Sequence, residues 1–487
     1  MGRQEERQDL IAELDADVSA ALRARLLDAG YTTERIEETL GSGRISFAAA
    51  DLAVHERRLE AGEPFSTAVR LFLLGAELAA ADAEVAFDVE ELLRTGWLEA
   101  SGDGVHATLK LVPHGDLLLA SDRDDDSVDA QWVAGIHPPS VTLAKLTVRR
   151  PVARALDTGT GNGIQALLAS RHARAVTATD VNPRALAFGR LNAGLNGVEN
   201  LELREGSYFE PVEGERFDLL TCNPPYVISP ERRFAYRDSG LAGDTVSRVV
   251  VEQASELLEE GGFAHVLVSW AHPPGDWWSP LEPWVEGRGC DAWLLYFGSD
   301  DPVTHASEWL KPVARDDPAA FAERLDAWLD YLRGLGIEAI GHGAVILRRR
   351  NGSRNWTRRD RVNLERLEQA SEHILRVFET QDYLESLDDE RGLLDETFAL
   401  VEQHHLEETR RRTELEGTVL SLDEGLGFRT ALDVHTAELV PLLDGTRPLR
   451  DVLAQLAVGD AKRFESAALP AVRRLLELGF LARASSA

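Results

Sequence analysis

The sequence predicts an α/β protein, a parallel sheet with helices on both faces, flanked by helical regions at either end. Three observations predict it. From residue 151 the short apolar runs ARALDT, AVTATD, FDLLTC and FAHVLVS alternate with helical stretches such as the one beginning NPRALAFGRLNAGLN; this alternation builds parallel sheets. A glycine-rich loop, GTGNG, follows the first run. A second loop, NPPY, ends FDLLTC, because Pro224 and Pro225 lack the backbone donors that a ladder needs.

The chain has 487 residues, enough for about three domains at roughly 150 residues each. With 44% apolar and 28% charged residues, its composition is that of a soluble globular protein. Cys222 and Cys290 are its only cysteines and form no CxxC pair, which speaks against a zinc knuckle or disulfide framework and for a reducing compartment. The opening MGRQEERQDL lacks the apolar core of a secretory signal. The most membrane-like stretch, residues 69–87, is interrupted by Glu77, Asp82 and Glu84, so a buried helix and a cytoplasmic location are expected. A net charge of −31 opposes general coating of nucleic acid, although a local basic patch could still bind it.

Taken in order, residues 1 to about 75 carry helical apolar spacing at Leu10, Leu14, Val18 and Leu22. Residues 92–113 read as a helix end, a turn and a hairpin, and DRDDDSVD, 122–129, as a solvated acidic loop. After the four runs come a strand DAWLLYFG, a helix FAERLDAWLDYLRGLG and a strand GAVILRRR. Beyond about 351 the chain reads as mainly helical. Leu92, Leu93, Gly96, Trp97 and Leu98 are echoed by Leu475, Leu476, Gly479, Phe480 and Leu481. Two small winged-helix modules explain the echo; so does a common helix C-cap followed by an apolar anchor. The expected domains are 1–130, helical and winged-helix-like; 131–350, the α/β sheet; and 351–487, helical and winged-helix-like.

The glycine loop lies between a strand ending in Asp157 and a helix. Gly159, Gly161 and Gly163 allow a tight turn and close approach of a ligand to the backbone. Such a unit holds a dinucleotide, a phosphate or an adenosyl group. Three details decide. The spacing is GxGxG without GK[ST], so a P-loop is excluded. Asp157 would repel a pyrophosphate but suits a ligand bearing an ammonium group. The second strand ends in Asp180, placed to accept from both ribose hydroxyls. Together these describe a site for S-adenosylmethionine.

Asp157, Gly159-Thr160-Gly161-Asn162-Gly163, Asp180 and Asn223-Pro224-Pro225-Tyr226 occur in the order and spacing of class I S-adenosylmethionine-dependent methyltransferases, which this chain resembles from about 135 to 300. The NPPY form resembles the N-methyltransferase branch, and residues 237–263 are most similar to its release-factor glutamine and ribosomal-RNA guanine members. The resemblance implies a Rossmann-like sheet, S-adenosylmethionine as cofactor, and an adenine-binding position after the third strand. There REGSYFE puts Ser207 and Tyr208 in place of an acid: Ser207 would bond the adenine amine and Tyr208 would cover the ring.

The NPPY loop then has a chemical reading. Methyl transfer needs a nitrogen lone pair in line with the breaking bond, and in an amide or a base amine that pair is delocalised. Two acceptors, the Asn223 side-chain oxygen and the Pro224 carbonyl, would hold the amine hydrogens and favour a pyramidal nitrogen. The prolines stiffen the loop, and Tyr226 offers a stacking face. The expected function is methylation of a planar nitrogen on a macromolecule, a protein glutamine amide (as in a release factor) or an RNA base amine. The alternatives are a cofactor-binding scaffold or regulator, or a DNA adenine or small-molecule methyltransferase. No membrane partner is expected, and the sequence does not fix the oligomeric state.

Lesser candidates complete the list. GIHPPSVTLAKL, 135–146, either helps close the cofactor site through Pro138, Pro139 and Thr142 or is a linker. ILRRRNGSRNWTRRDR, 346–361, is either a charged hairpin or a nucleic-acid contact. His404 and His405 read as a solvated helix face, and no metal site is expected.

Overall fold

The structure is a computed structural model that describes residues 16–41, 49–123, 131–231, 237, 240–316, 318–350, 354–412, 414–457 and 461–484. Two compact units are formed, one within residues 1–143 and 151–360, the other within 144–150 and 361–487.

The first unit is built on an eight-stranded sheet. Its strands are β1 Val152–Thr158, β2 Ala173–Asp180, β3 Leu201–Glu205, β4 Phe217–Cys222, β5 Leu258–His272, β6 Cys290–Asp300, β7 Ala339–Arg349 and β8 Thr357–Arg361. Their spatial order is β8-β6-β7-β5-β4-β1-β2-β3. Strands β1 to β5 pair in parallel. Central strands are apolar on both faces, as in Leu156, Leu219, Leu220, Ala264 and Val266, because helices cover both sides. The helices that matter for the site are α1 Pro138–Leu146, α2 Ile164–Ala169, α3 Pro183–Leu195, α4 Thr245–Glu256, α5 Pro302–Asp316 and α6 Pro318–Gly334.

The expectation of a parallel sheet is corrected to a mixed one. Strand β7 runs antiparallel to both β5 and β6. Helices α5 and α6 lie between β6 and β7, so in sequence this antiparallel pair looks like another strand–helix–strand crossover.

The 69–87 stretch is not one helix. A short π-helix, Val69–Leu73, buries Val69, Leu71, Phe72 and Leu73, and the chain turns at Gly75, φ 69°. Among the described residues no helix is long and apolar enough to cross a membrane.

Side chains of α3 stitch the N-terminal segment to this sheet. The Asn192 amide accepts from Ala120 N–H at 2.7 Å and donates to Ala120 O at 2.9 Å, so it pairs with the strand Leu117–Ser121 like a neighbouring strand. Its amide also lies 2.8 Å from the carbonyl of Asn162, in the glycine loop. Asp122, expected in a solvated run, is buried and pairs with Arg184, Nε to Oδ2 2.9 Å, while accepting from Val133 N–H at 2.8 Å. The rest of that run, from 124, lies outside the described residues, as do Leu10 and Leu14.

Beyond 361 the expectation of a mainly helical chain is also corrected. Two three-stranded sheets occur there, one of Asp444–Pro448, Thr397–Leu400 and Leu481–Arg483, the other of His404–Arg411, Glu414–Leu422 and Arg429–Leu432. HHLEETRR is rich in good helix formers, yet it pairs as a strand with seven exposed residues after His404; local propensity yields to pairing. His404 and His405 therefore sit on a strand, not a helix.

The echoed segments share one local geometry. In the first, Gly96 N–H bonds Leu93 O and Trp97 N–H bonds Leu92 O; in the second, Gly479 bonds Leu476 and Phe480 bonds Leu475. This is the Schellman C-cap, with the glycines at φ 79° and 73° and both aromatics buried. Each cap delivers the chain into a three-stranded sheet, at Leu98–Ser101 and Leu481–Arg483.

Candidate active site

Strands β2 and β4 flank β1, and the chain leaves β1 in opposite directions. Open sheets place ligand sites in the crevice beyond such a switch point. Asp157, Asp180 and Asn223 all stand there, at the C-terminal ends of β1, β2 and β4.

Gly159, Gly161 and Gly163 have φ of 68°, 56° and 88°, the left-handed region that a Cβ disfavours. The loop is pinned from below: Gly159 and Thr160 N–H donate to Thr179 O at 2.9 and 3.0 Å. A Cβ at Gly161 would meet nothing within 4 Å, and at Gly159 the nearest atom would be the carbonyl oxygen of Asn223 at 4.0 Å. The upper edge of the loop is therefore open. Gly163 serves packing as well, because its Cβ would lie 3.4 Å from Gly189 Cα on α3.

Asp157 is buried at the floor of the crevice. Thr160 Oγ1 donates to one carboxylate oxygen at 2.7 Å and Thr221 Oγ1 to the other at 2.9 Å. Burial pushes its pKa up to about 6, and these hydroxyls only partly offset that. Asp180 is less enclosed. Its Oδ2 accepts from Gly161 N–H at 2.9 Å and its Oδ1 from Asn182 N–H at 2.8 Å. Burial raises its pKa too, opposed by those backbone donors. The carboxylate lines the crevice, and its roughly four acceptor sites outnumber its backbone donors.

Ser207 and Tyr208 line the same crevice. Tyr208 sits at φ 46°, strained for a side chain of this size. Its carbonyl accepts from Thr158 Oγ1 at 2.8 Å, and Thr179 Oγ1 lies 3.1 Å away, so the ends of β1 and β2 hold the strained turn.

The NPPY loop leaves β4 at Asn223. Asn223, Pro225 and Tyr226 are half-buried and Pro224 is buried. Tyr226 N–H donates to Pro224 O at 2.7 Å, which closes a tight turn and uses one of that oxygen's two lone pairs. Among the described residues the Asn223 amide makes no hydrogen bond. Tyr226 packs between the core under β4–β5 and a smaller cluster with Val227, Ala306 and Trp328. Burial raises its phenol above the ordinary value.

These residues surround a cavity of about 360 Å³. Its wall includes Asp157, Gly159, Thr160, Gly161, Asn162, Asp180, Ser207, Tyr208, Asn223 and Pro225, but not Gly163, Pro224 or Tyr226. Trp132, His137, Ser140 and Gln165 were not foreseen. Segment 135–146 does reach the site, through His137 and Ser140; Pro138, Pro139 and Thr142 are not on the wall. Ser140 Oγ lies 2.9 Å from His137 Nδ1, and Gln165 donates to Ser140 O at 2.8 Å, tying α1 to α2. The signal was a histidine just ahead of a helix-starting proline pair.

Five of the arginines of 346–361 are committed to ion pairs and backbone carbonyls. Fully buried Asp291 takes Arg348 at 2.6 Å and Arg350 at 2.9 Å. Arg358 pairs with Asp360 at 2.5 Å, Arg359 pairs with Glu282, and Arg349 donates to Ser255 O at 3.1 Å. Residues 351–353 lie outside the described residues.

Residues 139–273 match the family described as methyltransferase small domain, and residues 28–108 match a domain of unknown function, DUF7059. The chain is 35% identical over 145 residues to a release factor glutamine methyltransferase of Geobacter sulfurreducens, covering 27% of this chain and 50% of that protein. It is 35% identical over 126 residues to a ribosomal protein uL3 glutamine methyltransferase of Bradyrhizobium diazoefficiens, covering 23% and 40%. The chain thus spans about half the length of the curated relatives it matches. Among solved structures, Trm5b from Pyrococcus abyssi aligns with a TM-score of 0.31 at 15% identity over 52% of this chain and 62% of that one.

Proposed function

We propose that this chain, whose residues 139–273 form a methyltransferase small domain, methylates a planar nitrogen on a macromolecule with S-adenosylmethionine, the cofactor of that family, and that the nitrogen is a protein glutamine amide. The residues present fit the cofactor. The glycine edge is open where a Cβ would project, Asp180 keeps acceptor capacity beside it, and Tyr208 brings an aromatic ring to the wall. Asp180 would hold the ribose hydroxyls, Ser207 and Tyr208 the adenine, and Asp157 the cationic end. The cofactor supplies a methyl group on an electron-poor sulfonium.

One observation carries the acceptor reading: the half-buried Asn223 amide, on the cavity wall, has no partner among the described residues. A free amide oxygen and the remaining lone pair of Pro224 O are two acceptors on one stiff turn. They would hold the two hydrogens of an –NH₂ group and help draw its nitrogen toward tetrahedral geometry. Their preorganisation supplies electrostatic stabilisation without reorganisation at the moment of reaction.

A glutamine amide is favoured over a base amine for two reasons. The relatives quoted above are glutamine methyltransferases. In the arginine-rich segment, the best candidate for phosphate contacts, four arginines are already paired with Asp291, Asp360 and Glu282. The test is transfer of tritium from labelled cofactor into a cell extract fractionated into protein, RNA and DNA. Label in protein, on glutamine after hydrolysis-free peptide mapping, supports the reading. Label confined to RNA sinks the glutamine assignment, and no label in any fraction sinks methyl transfer to a macromolecule.

A further inference from the structure

Asp300, His305 and His342 each offer a ligand atom within 4.8 Å of the others. Asp300 ends β6, His305 lies in the first turn of α5 and His342 is on β7. His305 is fully buried, with Nε2 3.1 Å from the carbonyl oxygen of Ile228. A carbonyl only accepts, so Nε2 carries the proton and Nδ1 is left with a lone pair. That Nδ1 is buried and has no hydrogen-bond partner among the described residues.

His342 has partners on both ring nitrogens. Its Nδ1 lies 2.8 Å from Ser269 Oγ, which is 3.1 Å from Gly341 O. Ser269 Oγ thus bridges the His342 ring and the Gly341 carbonyl. His342 Nε2–H donates to Asp300 Oδ2 at 3.0 Å. The free lone pair of His305 Nδ1, His342 Nε2 and the Asp300 carboxylate thus converge, and a cation seated among them replaces the one Nε2 proton. An outer N–H given to an oxygen acceptor is the arrangement that orients metal-ligating histidines.

We propose that Asp300, His305 Nδ1 and His342 Nε2 bind one divalent transition-metal ion of the zinc class. Two imidazoles and a carboxylate suit such an ion, and three protein ligands leave a further position open. A tetrahedral ion with bonds of about 2.0–2.1 Å sets its ligand atoms about 3.4 Å apart. Seating it draws the widest pair inward, a movement that the partly exposed Asp300 and His342 allow. His305 also holds Ile228, two residues beyond Tyr226, and Ala306 and Leu310 on the same helix pack on Val227. The ion therefore braces the loop that follows β4. Its binding stands independently of the methyl-transfer reading.

The test uses the full chain, stripped with a chelator, shown folded by circular dichroism, and titrated with Zn²⁺ alone and with Co²⁺ for its visible absorption. Wild type takes up one tight equivalent. Asp300→Asn and His342→Gln each weaken uptake by at least about tenfold and lose the cobalt band. His405→Ala, which removes an exposed imidazole beside Glu407 and Asp423, leaves the equivalent in place. The proposal is overturned if stripped, folded wild type takes up no tight Zn²⁺, or if uptake persists undiminished in both site variants.

Discussion

Asp180 grips the glycine loop: its Oδ2 accepts the Gly161 backbone N–H at 2.9 Å. The same carboxylate is proposed to hold the ribose. Removing it therefore acts twice, on the ligand bonds and on the loop that the ligand lies against. Charge-assisted hydrogen bonds contribute about 1.5–3 kcal/mol each. Asp180→Ala is predicted to weaken cofactor binding by roughly 10- to 100-fold or more in isothermal titration. Asp180→Asn, which keeps one acceptor oxygen, falls between. Wild-type affinity in a folded Asp180→Ala variant would remove Asp180 from the site.

Asp157 predicts a pH dependence. Its folded-state pKa, about 6, is above its ordinary value of 3.8. In the free protein its contribution to stability is fully present below that ordinary value and is lost as pH rises through about 6. A cationic ligand reverses the preference, because it favours the ionised carboxylate. Cofactor affinity is predicted to rise with pH up to about 6 and then level off. Below it, affinity should fall by up to about tenfold per pH unit. In a thermal-shift series, the cofactor should raise the melting temperature more at pH 7.5 than at pH 5, and Asp157→Asn should flatten the difference. A difference that survives in Asp157→Asn assigns the titration elsewhere.

Asp291 predicts a stability defect away from the cavity. It is fully buried and neutralised by Arg348 and Arg350 across β6 and β7. Breaking a buried ion pair from one side leaves uncompensated charge and costs about 3–5 kcal/mol. Asp291→Ala should lower the apparent melting temperature well beyond the change seen for Glu282→Ala, whose pair with Arg359 is exposed. Equal, small shifts for both would mean that the arginines are not structurally committed and are free for another partner.

Legibility followed how local each feature is. Gly159 to Gly163, Asp157 and Asp180 could be read because a tight turn and two strand ends are written in contiguous residues. Asn223 could be read because the prolines beside it end a strand by their own chemistry. What stayed hidden depends on partners distant in sequence. The reversed direction of β7 is decided by its neighbours β5 and β6, not by its own apolar run. Asp122 looks solvated beside DDD until Arg184 covers it. His404 and His405 look helical until Leu422 and Ser421 pair with them. Asp300, His305 and His342 converge only through the packing of α5 on the sheet.

Asn223 gives the most direct test of the acceptor loop. Its amide has no partner among the described residues, so Asn223→Ala removes no bond that the fold uses. The glycine loop and Asp180 keep their own contacts. Cofactor affinity should therefore stay near wild type. The rate should not: losing one preorganised partner of the transferring nitrogen costs on the order of 100-fold. A residue acting mainly in the transition state lowers turnover without a matching loss of ground-state binding. Asn223→Asp keeps an acceptor but adds a charge that a sulfonium attracts, and it loses the amide donor, so it should also fail. Tyr226→Phe keeps the ring that packs on Val227 and Trp328 and should do less harm. Single-turnover methyl transfer into the labelled fraction, measured beside cofactor titration, decides it. Wild-type transfer by Asn223→Ala would make NPPY a strand-ending turn and nothing more.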